Sequence, residues 1–311
     1  MIGALGSVTR FSCGSCYGLA DSELWCEACE GRLCELPALD HRASAVVHRC
    51  RRRTLYRATL PLRTGPTVVF IKEHLHNGTR RSLSDGWVSR RPERAARAAR
   101  ALTAAGFHTF LPIATVHCRS ADSGCGSWLV FRPVQGTALE EWLATHRAGE
   151  HRERVLNALA NEVARLHEAG FWHGDLKAKN VVLATDDGNG SSREPALAFV
   201  DLDGLGRCPW WLPAGLRLRA CLDLRTLVAH LARCCSPDEL AQFQADYCAA
   251  RHFGPRRRRV LSAVVRFPHK AVTRHDRAKA RRTGQELPRG QNRLFALLGN
   301  SGGGGEDEAV R

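Results

Sequence analysis

The sequence predicts an α+β fold in two lobes, a strand-rich half carrying one long helix and then a mostly helical half. Three observations predict it. Between residues 45 and 131, runs rich in β-branched residues recur with turn residues between them. From residue 137 onward the apolar spacing becomes helical. Inside that helical half sit two short apolar strands with charged neighbours. His173-Gly174-Asp175-Leu176-Lys177-Ala178-Lys179-Asn180 precedes Val181-Val182-Leu183, and Phe199-Val200 runs into Asp201-Leu202-Asp203-Gly204.

At 311 residues the chain can bury a large core. Its hydrophobic content of 44% and charged content of 25% are those of an ordinary soluble protein. The net charge of +15 departs from that pattern and favours polyanionic company, whether nucleic acid, an anionic membrane face or phosphorylated substrates; the alternative is an Arg-rich composition that only solubilises the surface. No stretch of about 18 apolar residues is present to span a bilayer. The start, Met1-Ile2-Gly3-Ala4-Leu5-Gly6-Ser7, lacks the basic residues and apolar run of a signal peptide, so a cytoplasmic location is expected.

Thirteen cysteines in such a chain call for metal or scattered thiols before disulfides. Cys13-x-x-Cys16 and Cys26-x-x-Cys29, nine residues apart, have the spacing of two knuckles of a zinc ribbon, with Cys34 left over. Four thiolates would close the coordination sphere, which makes Zn²⁺ structural. The alternative is a Cys-rich leader without metal.

Strands are expected at Ala45–Val47, Thr54–Leu60 and Thr67–Lys72. Lys72 comes about a hundred residues before the His173-x-Asp175 loop, the place of a lysine that grips nucleotide α/β-phosphates. The connection before the second strand, His48-Arg49-Cys50-Arg51-Arg52-Arg53, lacks the glycines that let backbone N–H groups approach phosphates. Two readings stay open: the arginines supply charge in their place, or the loop serves only as an electrostatic lure. Ser89 to Ala105 reads as a helix stopped by Gly106, and Glu93, its sole acid, is the candidate partner for Lys72. Its competing role is a helix-start acid favoured by the dipole. Phe110–Val116 and Ser127–Phe131 complete the sheet, and Arg132–Gly136 reads as a hinge under an adenine.

Helices follow at Ala138–Leu143 and Glu150–Glu168, the second with Val155, Leu156, Leu159, Val163 and Leu166 on one face. The ordered set H-x-D-x-K-x-x-N, apolar strand, gap, apolar-apolar-Asp then suits phosphoryl transfer. Asp175 can take a proton from an acceptor hydroxyl, and Lys177 can lend charge to the transferring group. Asn180 and Asp201 can hold Mg²⁺ on ATP, since hard cations prefer oxygen. Asp186–Ser192 reads as a solvated connector. Pro209–Pro213 is too short for a long activation segment, which disfavours a peptide acceptor. Asp223 can reach back to the catalytic loop, and Ser236 is positioned to cap a helix starting at Pro237. Arg256–Arg259 and the residues from His269 to Arg282 are strongly basic but lack aromatic interleaving, so nucleic acid is not the expected partner. Gly302–Gly305 and the acids after them read as a disordered tail.

Over roughly residues 45–285 the chain resembles the lipopolysaccharide kinase family, the Kdo and core-heptose kinases with a protein-kinase-like fold. The matching residues include Arg52–Arg57, Phe70-Ile71-Lys72, Ala104–Phe107, Leu166–Gly170 before His173-Gly174-Asp175, Val200–Gly204, and Asp223-Leu224 with Phe243–Tyr247. The resemblance implies Asp175 as catalytic base, Asn180 and Asp201 as Mg²⁺ ligands, Lys72 as an ATP contact and Glu93 as its partner. It further implies a lipid-linked core oligosaccharide as acceptor, met at the cytoplasmic membrane face. The expected divisions are a Cys-rich segment over 1–40, an N-lobe over 41–131, a C-lobe over 132–290 and a tail over 291–311. Two rivals remain: a small-molecule phosphotransferase of the aminoglycoside or choline type, and a zinc-ribbon binding protein with a degenerate kinase fold.

Overall fold

A computed structural model describes residues 8–14, 16–29, 46–50, 53–74, 91–120, 124–185, 195–208 and 213–266. The expectations for Cys34, the 186–192 connector, Trp210–Trp211, the basic stretch from His269 and the terminal tail lie outside those residues.

The N-terminal half is a seven-stranded antiparallel sheet built from β1 (Val8–Cys13), β2 (Cys16–Asp21), β3 (Val46–Cys50), β4 (Arg53–Leu62), β5 (Gly65–His74), β7 (Leu111–Ser120) and β8 (Gly124–Arg132). Its order is β1-β2-β7-β8-β5-β4-β3. Side chains alternate across a strand. On β5, Val69 and Ile71 accordingly enter a core with Tyr56, Ile113, Val116 and Val130, while Phe70 and Lys72 line the cleft on the other face. Helix α1 (Arg91–Ala104) carries Ala95, Ala96, Ala99 and Leu102 into the second core, shared with the C-terminal half.

The cysteine-rich segment is part of the sheet. Cys13-x-x-Cys16 makes a tight hairpin, with Gly14 at φ +58° and Cys13 opposite Cys16. β2 then pairs with β7, Cys16 opposite Cys118, so the segment extends the sheet rather than forming a ribbon. Cys16 and Cys118 are buried in the sheet core. Cys26 and Cys29, with sulfurs 3.6 Å apart, both donate to the Pro61 carbonyl, at 2.9 and 3.4 Å. Among the described residues no group of three or more His, Cys, Asp or Glu side chains is placed to hold a metal ion. Zinc therefore finds no support there.

The C-terminal half holds α2 (Leu139–Thr145), α3 (Glu150–Glu168), α4 (Pro213–Leu231), α5 (Pro237–Ala250) and α6 (Pro255–Arg266). All five apolar residues expected to share a face of α3 are buried. Ser236 and Glu239 form a reciprocal capping box at the start of α5. Arg152, 2% exposed, donates to the carbonyls of Leu143, His146 and Cys234 and pairs with Glu239, tying four helix ends together. A small sheet, ordered β6 (His108–Thr109), β12 (Leu197–Phe199), β11 (Val181–Ala184) and β9 (Gly136–Ala138), lies under the cleft. Among the described residues no helix is long and apolar enough to cross a membrane.

Candidate active site

Two ladders bring the two motifs together. β11 and β12 are antiparallel with Val181 opposite Phe199, so Asn180 and Val200 meet at one end and Val200 N–H donates to the Asn180 carbonyl at 2.9 Å. β10 (Phe171–Trp172), just before the catalytic loop, pairs with β13 (Gly206–Arg207), just after the acidic turn. Gly174 (φ +80°) and Gly204 then touch backbone to backbone. A Cβ on Gly174 would fall 2.4 Å from the Gly204 carbonyl oxygen, which excludes any side chain there.

The His173–Asn180 loop is held from beneath. His173 is fully buried; its Nε2–H donates to the Val200 carbonyl at 3.1 Å, since a carbonyl can only accept. Burial lowers its pKa, against the nearby acids, and keeps the ring neutral. Asp223 on α4, 3% exposed, accepts the backbone N–H of His173 at 2.6 Å and of Gly174 at 2.9 Å. Its reach back to the loop is as expected.

Above that support, Asp175 contacts Lys177 Nζ at 2.6 Å through Oδ1 and 2.9 Å through Oδ2. Asn180 Nδ2 donates to the Asp175 carbonyl at 2.9 Å, which leaves the amide oxygen of Asn180 as the atom able to meet a cation. Asp201 takes φ 59°, ψ 56°, a left-handed conformation that an Asp tolerates. Lys72 Nζ lies 2.6 Å from Asp201 Oδ1 and 2.8 Å from Asp203 Oδ2. Arg53 Nη1 lies 3.2 Å from both oxygens of Asp201 and 3.6 Å from Asp203 Oδ2. Burial would raise the Asp201 pKa, but Lys72 and then Arg53 hold it down to about 2.

Glu93 does not join this group. Its Oε1 meets His117 Nε2 across from β7, while Lys72 is held by Asp201 and Asp203. The spacing of Glu93 on its helix was right for a partner, but a histidine on the adjoining strand takes the carboxylate. The sequence gives Asp203 no role of its own and counts Arg53 only among the arginines that could supply charge in place of glycines. Asp-x-Asp alternation after an apolar strand was the available signal for the first, and the missing glycines for the second.

The charged group forms one wall of a cleft of about 510 Å³ whose other lining includes Leu55, Phe70, Phe131, Pro133, Val134 and Val182. That volume and apolar character suit a nucleotide base. Asp203 Oδ1 is buried without a hydrogen-bond partner among the described residues, a lone acceptor that a divalent cation would satisfy. With Asp201 and the Asn180 amide oxygen it makes an all-oxygen donor set, which fits Mg²⁺.

His74, two residues beyond Lys72, is 1% exposed, and both its ring nitrogens lack partners among the described residues. Burial is the main cause that lowers its pKa from 6.5 to about 4; Asp203 raises it, while Lys72, Arg91 and Arg53 lower it further. The unfolded chain therefore takes up this proton first as pH falls. Stability is full above pH 6.5 and is lost between 6.5 and 4, by about 3 kcal/mol from this group. Denaturant titrations should show His74→Phe losing less stability than the unsubstituted protein between pH 7 and 4.5. Equal losses would clear the histidine.

A small sheet-and-helix lobe over a helical lobe, with lysine above and H-x-D…D below the cleft, defines a kinase-like fold. Residues 69–208 match the lipopolysaccharide kinase (Kdo/WaaP) family model. Two curated Escherichia coli relatives, each described as an O-antigen chain terminator bifunctional methyltransferase/kinase WbdD, are 38% identical over 81 residues. That match covers 25% of this chain, and the chain spans only 10% of the length of those relatives. A solved structure of WaaP in complex with acyl carrier protein is similar in fold, with a TM-score of 0.50, 19% identity, and coverage of 78% of this chain and 90% of that one.

Proposed function

We propose that this chain is an ATP-dependent kinase that phosphorylates a sugar hydroxyl, of heptose or Kdo, on lipopolysaccharide core at the cytoplasmic membrane face. One observation carries the reading: Asp175 with its lysine stands at the same end of the β11–β12 ladder as Asp201, beside an apolar cleft that Lys72 also lines. Lys72 would hold nucleotide phosphates, while Asn180, Asp201 and Asp203 would hold Mg²⁺. Bound there, the metal–nucleotide supplies the phosphoryl group and neutralises its charge. Asp175 accepts the hydroxyl proton of the sugar as the oxygen attacks. Lys177 stabilises the charge on the group in transit and holds the Asp175 carboxylate in place. Asn180, bonded to the Asp175 carbonyl, fixes the loop between base and metal.

The family supports a lipopolysaccharide sugar as acceptor. The net charge of +15 supports peripheral attraction to an anionic glycolipid surface. Transfer of radiolabel from γ-labelled ATP to core-oligosaccharide glycolipid, aminoglycoside and protein acceptors tests it. Label is expected in the glycolipid, on heptose or Kdo. Label confined to an aminoglycoside or choline-type alcohol would move the protein to the small-molecule phosphotransferases, and no transfer at all would leave it a degenerate binding fold.

A further inference from the structure

Arg53 is the first residue of β4, opposite Cys50 at the end of β3, where this strand pair overhangs the cleft. Glycine-rich connections at such a place work through backbone N–H groups that come close to phosphate oxygens; this connection has no glycine. The guanidinium instead crosses the cleft to the two carboxylates of the acidic turn. Lys72 reaches the same two carboxylates from deeper inside, its side chain 13% exposed against 42% for Arg53.

We propose that Arg53 is the phosphate-binding residue that replaces the glycine-rich loop, holding Asp201 and Asp203 in the nucleotide-free protein and turning onto the outer phosphates of a nucleoside polyphosphate when one binds. The inference rests on reading the cleft as a nucleotide site. In the free protein two cations face two carboxylates, and the group is neutral. Once those carboxylates face a divalent cation, like-charge repulsion turns the guanidinium and the ammonium away from it. Phosphate oxygens are then the anions within reach. A planar guanidinium meets two phosphate oxygens at once, which an ammonium cannot do, so Arg53 also selects phosphate chains over a bare nucleoside. The greater exposure of Arg53 assigns it the outer phosphates and leaves the inner ones to Lys72.

Calorimetric binding of ATP and of adenosine, with Mg²⁺ present, to the full chain and to Arg53→Ala and Arg53→Lys tests this. Arg53→Ala should weaken ATP by about 10- to 100-fold, the range for a lost charge-assisted hydrogen bond, and leave adenosine within about twofold. Arg53→Lys should recover only part of the ATP affinity. Unchanged or tighter ATP binding in Arg53→Ala refutes the phosphate role, as does an equal loss for ATP and adenosine. If the unsubstituted chain binds adenosine and ATP equally weakly, the nucleotide-site reading itself fails, and the inference falls with it.

Discussion

Asp175→Ala is expected to lower turnover by about 10²- to 10⁴-fold while ATP binds within about twofold of the unsubstituted protein. The separation follows from where the side chain stands. Asp175 contacts Lys177 and, through its carbonyl, Asn180, but it does not line the cleft that Lys72, Asp201 and the apolar residues enclose. Its side chain is 38% exposed, so truncation removes little packing and leaves no buried group stranded. The effect thus falls on proton acceptance from the sugar hydroxyl and on the placement of Lys177. Asp175→Asn keeps the shape and removes the base, and should lose nearly as much. Single-turnover transfer measured beside nucleotide binding separates the two steps. Full activity in either variant would falsify the assignment of the base.

Much of this was legible in the sequence because it depends on local order. Runs of β-branched residues between turn signals located β4, β5, β7 and β8, and helical spacing located α3 together with the residues it buries. The H-G-D…N and D-L-D-G motifs needed only two short ladders to meet. The structure adds why the first carries glycine, since a Cβ at Gly174 would fall 2.4 Å from the Gly204 carbonyl oxygen. What stayed hidden depends on long-range placement. Cysteine spacing alone does not show that the segment joins the sheet, because the pairing of β2 with β7 lies nearly a hundred residues on. Glu93 lies on the helix where it was expected, yet His117 on β7 reaches it, and nothing in the helix records that neighbour. Arg53 and Asp203 became visible as a cluster only when β4 was laid over the acidic turn.

Asp223→Ala should destabilise the fold by about 3–5 kcal/mol and stop transfer even in the molecules that remain folded. One carboxylate on α4 receives two backbone N–H groups, from His173 and Gly174. Removing it strands both donors in a site 3% exposed, at about 1–3 kcal/mol each. A typical domain has only about 5–15 kcal/mol in total, so the melting temperature should fall by several degrees. Asp223→Asn is no rescue, because an amide offers one oxygen and turns its NH₂ toward the second N–H donor. His167 Nε2, 3.5 Å from Asp223 Oδ2, would lose its acidic neighbour as well. Leu227→Ala provides the control: it truncates a fully buried side chain one turn along the same helix, at a similar cost of about 2–5 kcal/mol, and leaves both Asp223 hydrogen bonds to the loop in place. Assayed well below both melting temperatures, Leu227→Ala should keep its kcat and Asp223→Ala should not. Loss of kcat in parallel with stability across both variants would reduce Asp223 to a packing residue. Loss in Asp223→Ala alone would show that the carboxylate positions Asp175 by fixing the two peptide groups immediately before it.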